Sequence, residues 1–314
     1  MIDADPTVMF MGTPEFARVQ LAALCDAGYD VKAVVTQPDK PKGRGRHLSV
    51  SSVKQYALDK GLAVYQPNTL RGEDFAGLLA ETAPELIVVA AYGKILPDNV
   101  LAYPKYGCVN VHGSLLPKYR GAAPIQRAIM NGEKTTGVTT MLMDSGVDTG
   151  DMLLWKEIEI TPDDDYGSLA MKLAGIGAEL LIETLRGVVS GSLKPVKQDP
   201  SKATYASKIE KSDCALDFSL SSEELVNRIR ALSPEPLAVS SLRGNQIKIA
   251  AAETSDMISE AVPGTVISVR SGVTVACGGG ALRITELIPS GKSRMTAAAF
   301  VNGRQCGEGD VFGD

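Results

Sequence analysis

The sequence predicts an α/β protein in which a doubly wound parallel sheet precedes a small C-terminal β domain of barrel or sandwich form. Three observations predict it. Short apolar runs alternate with segments of helical spacing through the first half of the 314 residues. Residues 86–91, LIVVAA, are continuously apolar over a length suited to a strand buried on both faces. Beyond about residue 210 the pattern changes to short β-rich runs separated by Gly and Pro. This length suits two domains better than one core.

The elements follow in order. Val8, Met9, Phe10 and Met11 form the first expected strand. Gly12 turns the chain, with Thr13 expected as N-cap and Pro14 at the first helical position. Phe16, Val19, Leu21 and Leu24 keep helical spacing, and Gly28 ends the helix. Residues 31–36 read as a second strand, 37–49 as a polar loop. A helix then runs through Val53, Tyr56, Ala57 and Leu58. Residues 86–91 and 108–111 are further strands. Strands alternating with helices imply a parallel sheet with ligands beyond the carboxyl ends of its strands.

Residues 186–211 are rich in Gly, Ser, Pro and Lys and read as a linker. Ser221 and Glu224 have capping-box spacing ahead of a helix through Leu225, Ile229 and Leu232. Strands are expected at 246–250, 264–269, 273–276 and 281–287. No repeat or low-complexity tract is visible.

Composition bounds the function. Hydrophobic residues are 44% and charged residues 22%, the balance of a globular protein. The first residues carry acids where a signal peptide carries bases, and no apolar run approaches the roughly 20 residues of a membrane helix. A soluble, cytoplasmic protein without membrane contact is therefore expected. The five cysteines are an odd number with no CxxC pair, which argues against a disulfide framework and a Cys-rich zinc site. A net charge of −5 argues against a general nucleic-acid binder, so any such role needs a local patch.

Asn110 and His112 stand at the end of the 108–111 run, two residues apart. On a strand they share a face. An amide can donate to an oxyanion, and an imidazole can carry a proton near neutral pH. The plainer alternative is a turn histidine bonded to a nearby carbonyl. Residues 143–152, MDSGVDTGDM, hold Asp148 in a tight Asp-Thr-Gly turn, and a carboxylate there can orient an imidazole. Taken alone, a single Asp-x-Gly is more often an ordinary Asp-rich loop. EF-hand spacing is absent and no metal site is expected. Residues 10–17 hold one glycine rather than G-x-G-x-x-G, and no Walker A motif exists. The stretch 36–54 sets Lys40, Lys42, Arg44, Arg46 and Lys54 against Asp39 alone, a local charge of +4 suited to a polyanion.

Four stretches together are specific: Asn110-x-His112, Ser114-Leu115-Leu116-Pro117, the 120–126 stretch RGAAPIQ, and Asp144-x-Gly146-x-Asp148-Thr149-Gly150. They resemble the formyltransferase family that uses 10-formyltetrahydrofolate. The 12–17 stretch GTPEFA and the basic stretch behind Thr36-Gln37-Pro38-Asp39 narrow the resemblance to members acting on aminoacyl-tRNA. The resemblance implies a Rossmann-like catalytic domain over 1–188, a linker over 189–208 and an OB-like tRNA-binding domain over 209–314. It further implies His112 as general base, Asn110 as oxyanion donor and Asp148 as the residue orienting His112. Ser114, Leu115, Leu116 and Pro117 would line the folate site. Lys40, Lys42, Arg44 and Arg46 would contact the tRNA, with initiator methionyl-tRNA as acceptor, 10-formyltetrahydrofolate as formyl donor and a monomer as the expected state.

Two features sit less easily with the resemblance. From residue 209 onward ten bases face thirteen acids, so the basic face must be a narrow track. Arg228, Arg230, Lys292 and Arg294 are its candidates, with Lys194, Lys197, Lys202, Lys208 and Lys211 in the linker. Glu235 also stands where the family tends to carry an aromatic residue. A small-amine formyltransferase, a hydrolase, and a non-catalytic folate or RNA binder are the alternatives.

Overall fold

The computed structural model describes residues 6–42 and 47–313. The chain divides into two compact units, each with its own core. The first comprises residues up to 124, 136–158 and 170–206; the second comprises 125–135, 159–169 and 207 onward.

The first unit opens with β1 (Val8–Gly12), α1 (Glu15–Asp26) and β2 (Val31–Val35). Pro14, not Thr13, is the N-cap of α1, and its carbonyl accepts from the amides of Ala17 and Arg18. Thr13 Oγ1 instead accepts from the amide of Gln37 at 3.4 Å. The expected polar loop is in part a hairpin, with β3 (Lys40–Lys42) antiparallel to β4 (His47–Ser49). There follow α2 (Ser52–Asp59), β5 (Val64–Tyr65), α3 (Glu73–Thr82), β6 (Leu86–Ala90), α4 (Asp98–Leu101), β7 (Cys108–His112) and β8 (Arg120–Gly121). Next in the chain come α5 (Pro124–Met130), which from Ile125 on belongs to the second unit, then β9 (Thr135–Leu142), β10 (Met152–Glu159), α6 (Tyr166–Val189), whose first turn also belongs to the second unit, and β11 (Tyr205–Ala206).

The main sheet has seven strands in the order β10-β9-β7-β6-β1-β2-β5. From β5 to β7 it is parallel, and β9 then runs antiparallel to β7. The chain steps outward from β1 through β2 to β5, then returns to the other side of β1 at β6. That reversal creates the crevice at which ligands bind in such sheets. All five residues of β1, β6 and β7 are buried, as strands covered on both faces require, although β7 carries the polar Asn110 and His112. Each such buried aliphatic side chain contributes roughly 1.5–3 kcal/mol. The segment expected as a linker is structured, because β11 pairs in parallel with β8.

The second unit carries α7 (Lys211–Cys214), α8 (Ser222–Leu232), β12 (Ala238–Leu242), β13 (Asn245–Ser255), β14 (Val266–Ser268), β15 (Val273–Ala276), β16 (Ala281–Pro289), β17 (Met295–Thr296) and α9 (Ala297–Asn302). The Ser221–Glu224 capping box forms as expected, with Ser221 Oγ accepting from the Glu224 amide at 3.3 Å. The sheet runs β12-β13-β16-β15-β14 with antiparallel pairing throughout. Phe312 bridges to Leu242 at the end of β12, and Val311 bridges to Thr265 beside β14. The chain's last residues thus join the two edge strands and curl the sheet on itself. Leu225, Ile229 and Leu232 of α8 are fully buried in the core of this unit.

Candidate active site

His112 is the last residue of β7, paired with Thr139 on the antiparallel β9, and is 6% exposed. Asn110 lies two residues earlier, 7% exposed. The alternation of the strand puts both side chains on one face, at the carboxyl end of the parallel sheet. Asp148 reaches them from the loop between β9 and β10. Its Oδ1 accepts from Asn110 Nδ2 at 3.4 Å, and its Oδ2 lies 3.7 Å from His112 Nδ1. The second distance is an electrostatic contact rather than a hydrogen bond. Oδ2 also accepts from the backbone amide of Gly121 at 2.8 Å.

The imidazole has a second partner. His112 Nε2 lies 2.9 Å from the carbonyl oxygen of Tyr119. A carbonyl only accepts, so Nε2 carries the ring proton and the lone pair of the neutral ring is on Nδ1. The plainer expectation of a carbonyl-bonded histidine is therefore correct for one nitrogen, while the other is left toward Asp148. Tyr119 has φ +58° and Asp148 φ +53°, both in the left-handed region. A bulky residue there costs on the order of 1–3 kcal/mol and persists only where surrounding contacts over-determine it. Gly121, at φ +119°, is needed because a Cβ would meet the Ala206 carbonyl at 2.7 Å. That close approach is the β8–β11 pairing.

Ser114, Leu115, Leu116 and Pro117 follow His112 after Gly113. Ser114 is fully buried; its Oγ donates to the Lys118 carbonyl at 2.6 Å and its carbonyl accepts from Thr139 Oγ1 at 2.7 Å. The Leu116 amide donates to the same Thr139 oxygen at 3.1 Å. These bonds hold the loop against β9. A cleft of about 410 Å³ lies in the same unit, lined by Arg71, residues 95–99 and Ser145, the last from the loop that carries Asp148. Asp144 shapes that loop, accepting from the Gly146 amide at 3.0 Å and Thr149 Oγ1 at 2.6 Å.

Lys40 and Lys42 lie on β3, while Arg44 and Arg46 fall outside the described residues. Lys54, which the sequence places in the same basic stretch, is committed to Asp39 and Gln66 at 2.5 and 2.7 Å. Its hydrogen bond holds the Asp39 carboxyl below the usual range. In the second unit Arg230 is likewise committed, donating to the carbonyls of Thr161 and Pro162 at 2.9 and 2.6 Å. It is therefore withdrawn from the expected basic track. Glu235 is exposed, so the acid at that position buries no charge. Among the described residues, no group of three His, Cys, Asp or Glu side chains is placed to hold a metal ion, and no helix is long and apolar enough to cross a membrane.

The sequence does not single out Gln198. It is 9% exposed, and its Nε2 donates to the backbone carbonyls of Asp148 and Gly150 at 2.9 and 2.7 Å. Its Oε1 accepts from Arg120 Nε and Nη2 at 3.0 and 2.8 Å. Arg120 lies within the 120–126 motif, but no local pattern joins it to a residue 78 positions away.

Residues 7–185 match the family model described as formyl transferase, and residues 208–305 match the formyl transferase C-terminal domain. A methionyl-tRNA formyltransferase of Caldanaerobacter subterraneus is 49% identical over 306 residues, covering 97% of this chain and 99% of the relative. One from Symbiobacterium thermophilum is 50% identical over 299 residues, covering 94% and 92%. Among solved structures, an N-formyltransferase from Helicobacter canadensis in complex with folinic acid and dTDP-3-aminofucose superposes with a TM-score of 0.66 at 19% identity, covering 88% of this chain and 98% of that one. A methionyl-tRNA formyltransferase from Clostridium thermocellum gives 0.57 at 17%, covering 81% and 95%. At such identities the structural likenesses establish the fold alone, whereas the sequence relatives establish more: the chain belongs to the methionyl-tRNA formyltransferase family.

Proposed function

We propose that this enzyme transfers the formyl group of 10-formyltetrahydrofolate to the α-amine of methionine on initiator methionyl-tRNA, for translation initiation. One observation carries the chemistry: a donor, a base and a carboxylate converge at one strand end, as Asn110, His112 and Asp148. The nucleophile is the substrate's own amine, so no Ser or Cys nucleophile is needed.

In this mechanism Nδ1 of His112 takes a proton from the attacking amine. Its Nε2–H stays on the Tyr119 carbonyl, and the new Nδ1–H points toward Asp148 Oδ2. The amine's electron pair forms a C–N bond to the formyl carbon, and the formyl oxygen becomes an oxyanion. Asn110 Nδ2 donates one hydrogen to Asp148 and has a second to offer that oxygen. On collapse the C–N bond to N10 of the folate breaks, and His112 returns its proton to that leaving nitrogen. Asp148 stabilises the imidazolium between the two transfers. The cleft beside Ser145 would take part of the donor: Ile95, Leu96 and Pro97 offer an apolar wall, and Arg71 a cation set against the acid Asp98. The loop of Ser114, Leu115, Leu116 and Pro117 would border it. Lys40, Lys42, Arg44 and Arg46 would hold the tRNA phosphates.

The test is a competition of acceptors. The protein is mixed with formyl-labelled 10-formyltetrahydrofolate and given charged initiator tRNA, glycinamide ribonucleotide, or water alone. Label on the aminoacyl-tRNA is the expected result. Label on the small amine, or release as formate, refutes the assigned acceptor.

A further inference from the structure

We propose that Gln198 is a positioning residue for formyl transfer, acting through Asp148. The proposal rests on the role given to Asp148 above. Three contacts carry it. Arg120 is 5% exposed, and its guanidinium directs Nε and Nη2 onto one oxygen, Gln198 Oε1. A guanidinium only donates, so the amide orientation of Gln198 is decided: the oxygen faces Arg120 and the NH₂ faces the Asp148 loop. The two hydrogens of that NH₂ then reach the carbonyls of Asp148 and Gly150.

Asp148 sits at φ +53°, a left-handed conformation that even Asp adopts only as a minority state. Pinning the carbonyl of Asp148 and the one two residues on fixes the peptide planes after its Cα. It thereby fixes the direction in which the carboxylate leaves the backbone. The amide of Gly121 meets the other end of the same residue, at Oδ2. Arg120 and Gly121 are adjacent on β8, so one two-residue strand holds Asp148 twice, by its backbone through Gln198 and by its carboxylate directly. The preceding residue, Tyr119, holds the His112 ring through its carbonyl. An amide is the side chain this arrangement needs. Glutamate would satisfy Arg120 but turn an oxygen toward two carbonyls, and a thioether would offer the buried guanidinium only a weak acceptor and the two carbonyls no donor.

The experiment is a double-mutant cycle on the full chain, with steady-state formyl transfer to methionyl-tRNA as readout. Gln198→Glu and Gln198→Met are each made alone and on an Asp148→Asn background. Gln198→Glu is expected to keep the near-UV circular dichroism spectrum and to lower kcat by about 10–10²-fold, with KM for both substrates within about threefold. On the Asp148→Asn background the same change is expected to cost less than about threefold, because the group it acts through is already gone. A folded Gln198→Glu protein with kcat within about twofold of wild type overturns the proposal. So does a loss that multiplies in full with Asp148→Asn, and so does unfolding of both Gln198 variants, which would make the residue a structural clamp. Normal turnover in Asp148→Asn alone refutes the role of Asp148 itself, a separate failure from normal turnover in Gln198→Glu.

Discussion

His112 has one carbonyl partner, and that partner decides which nitrogen carries the ring proton and which is free for the proposed proton transfer. With Nε2–H on Tyr119, the basic atom is Nδ1, beside Asp148 and on the face shared with Asn110. If the proposed roles hold, Asn110→Ala removes the oxyanion donor and is expected to lower kcat by about 10²–10³-fold, and His112→Ala removes the proton carrier and is expected to lower it by about 10²–10⁴-fold. Single-turnover transfer with both substrates saturating measures this, and near-normal rates in either variant would remove that residue from the mechanism. The strand-end position of the pair was legible from an apolar run with a period of two. The tautomer was not, because it depends on a carbonyl presented by a residue at φ +58°.

At the scale of elements, the β3–β4 hairpin is tied down at its base. Lys54 on α2 bonds Asp39 and Gln66, and Gln66 bonds the carbonyl of Gln37 at 2.8 Å. One of the five bases in the stretch is thereby neutralised locally, and Lys40, Lys42, Arg44 and Arg46 are the proposed phosphate contacts. About four such contacts predict a slope near −3 for log affinity against log salt concentration, and each base removed should flatten it by about 0.7. A filter-binding titration with charged tRNA over a range of salt measures that slope, and an unchanged slope after all four are replaced excludes the hairpin as the contact.

In the second unit, Arg127 of α5 grips Asp213 of α7 through both carboxylate oxygens, at 2.9 and 2.7 Å. These hydrogen bonds hold the Asp213 carboxyl below its ordinary range. A depressed folded pKa stabilises the fold above the unfolded value near 4 and loses that stabilisation as pH falls through the folded one. Asp213→Asn should therefore cost about 1–2 kcal/mol at pH 7, and the difference from wild type should shrink below about pH 4. Urea melts at pH 7, 5 and 3.5 read this directly, and a gap that widens with acid contradicts it.

Across the whole molecule, the cysteines report on burial. Cys108, Cys214, Cys277 and Cys306 are buried and Cys25 is partly so. Burial pushes the Cys108 thiol up to about 12 and those of Cys277 and Cys306 up to about 11. Thiolate is the reactive form, so native protein at pH 8 should react slowly with a thiol reagent, Cys25 first, and all five should react fast in denaturant. Rapid labelling of Cys108 in native protein would contradict the buried position of β7.

The sequence by itself determined the apolar strands, the capped helix α8, the change to a β-rich C-terminal region, and the motifs that name the family. Each is written in neighbours a few residues apart, where periodicity and capping act. Tertiary structure alone decided that β9 runs antiparallel to β7, that β8 pairs with β11, and that the segment expected as a linker supplies Gln198 to the candidate site. Such pairings join residues tens of positions apart in the chain. Their energies come from satisfying buried polar groups, Arg120 and the Asp148 carbonyl among them. No local pattern states which distant group will satisfy which, and only the folded chain brings the two together.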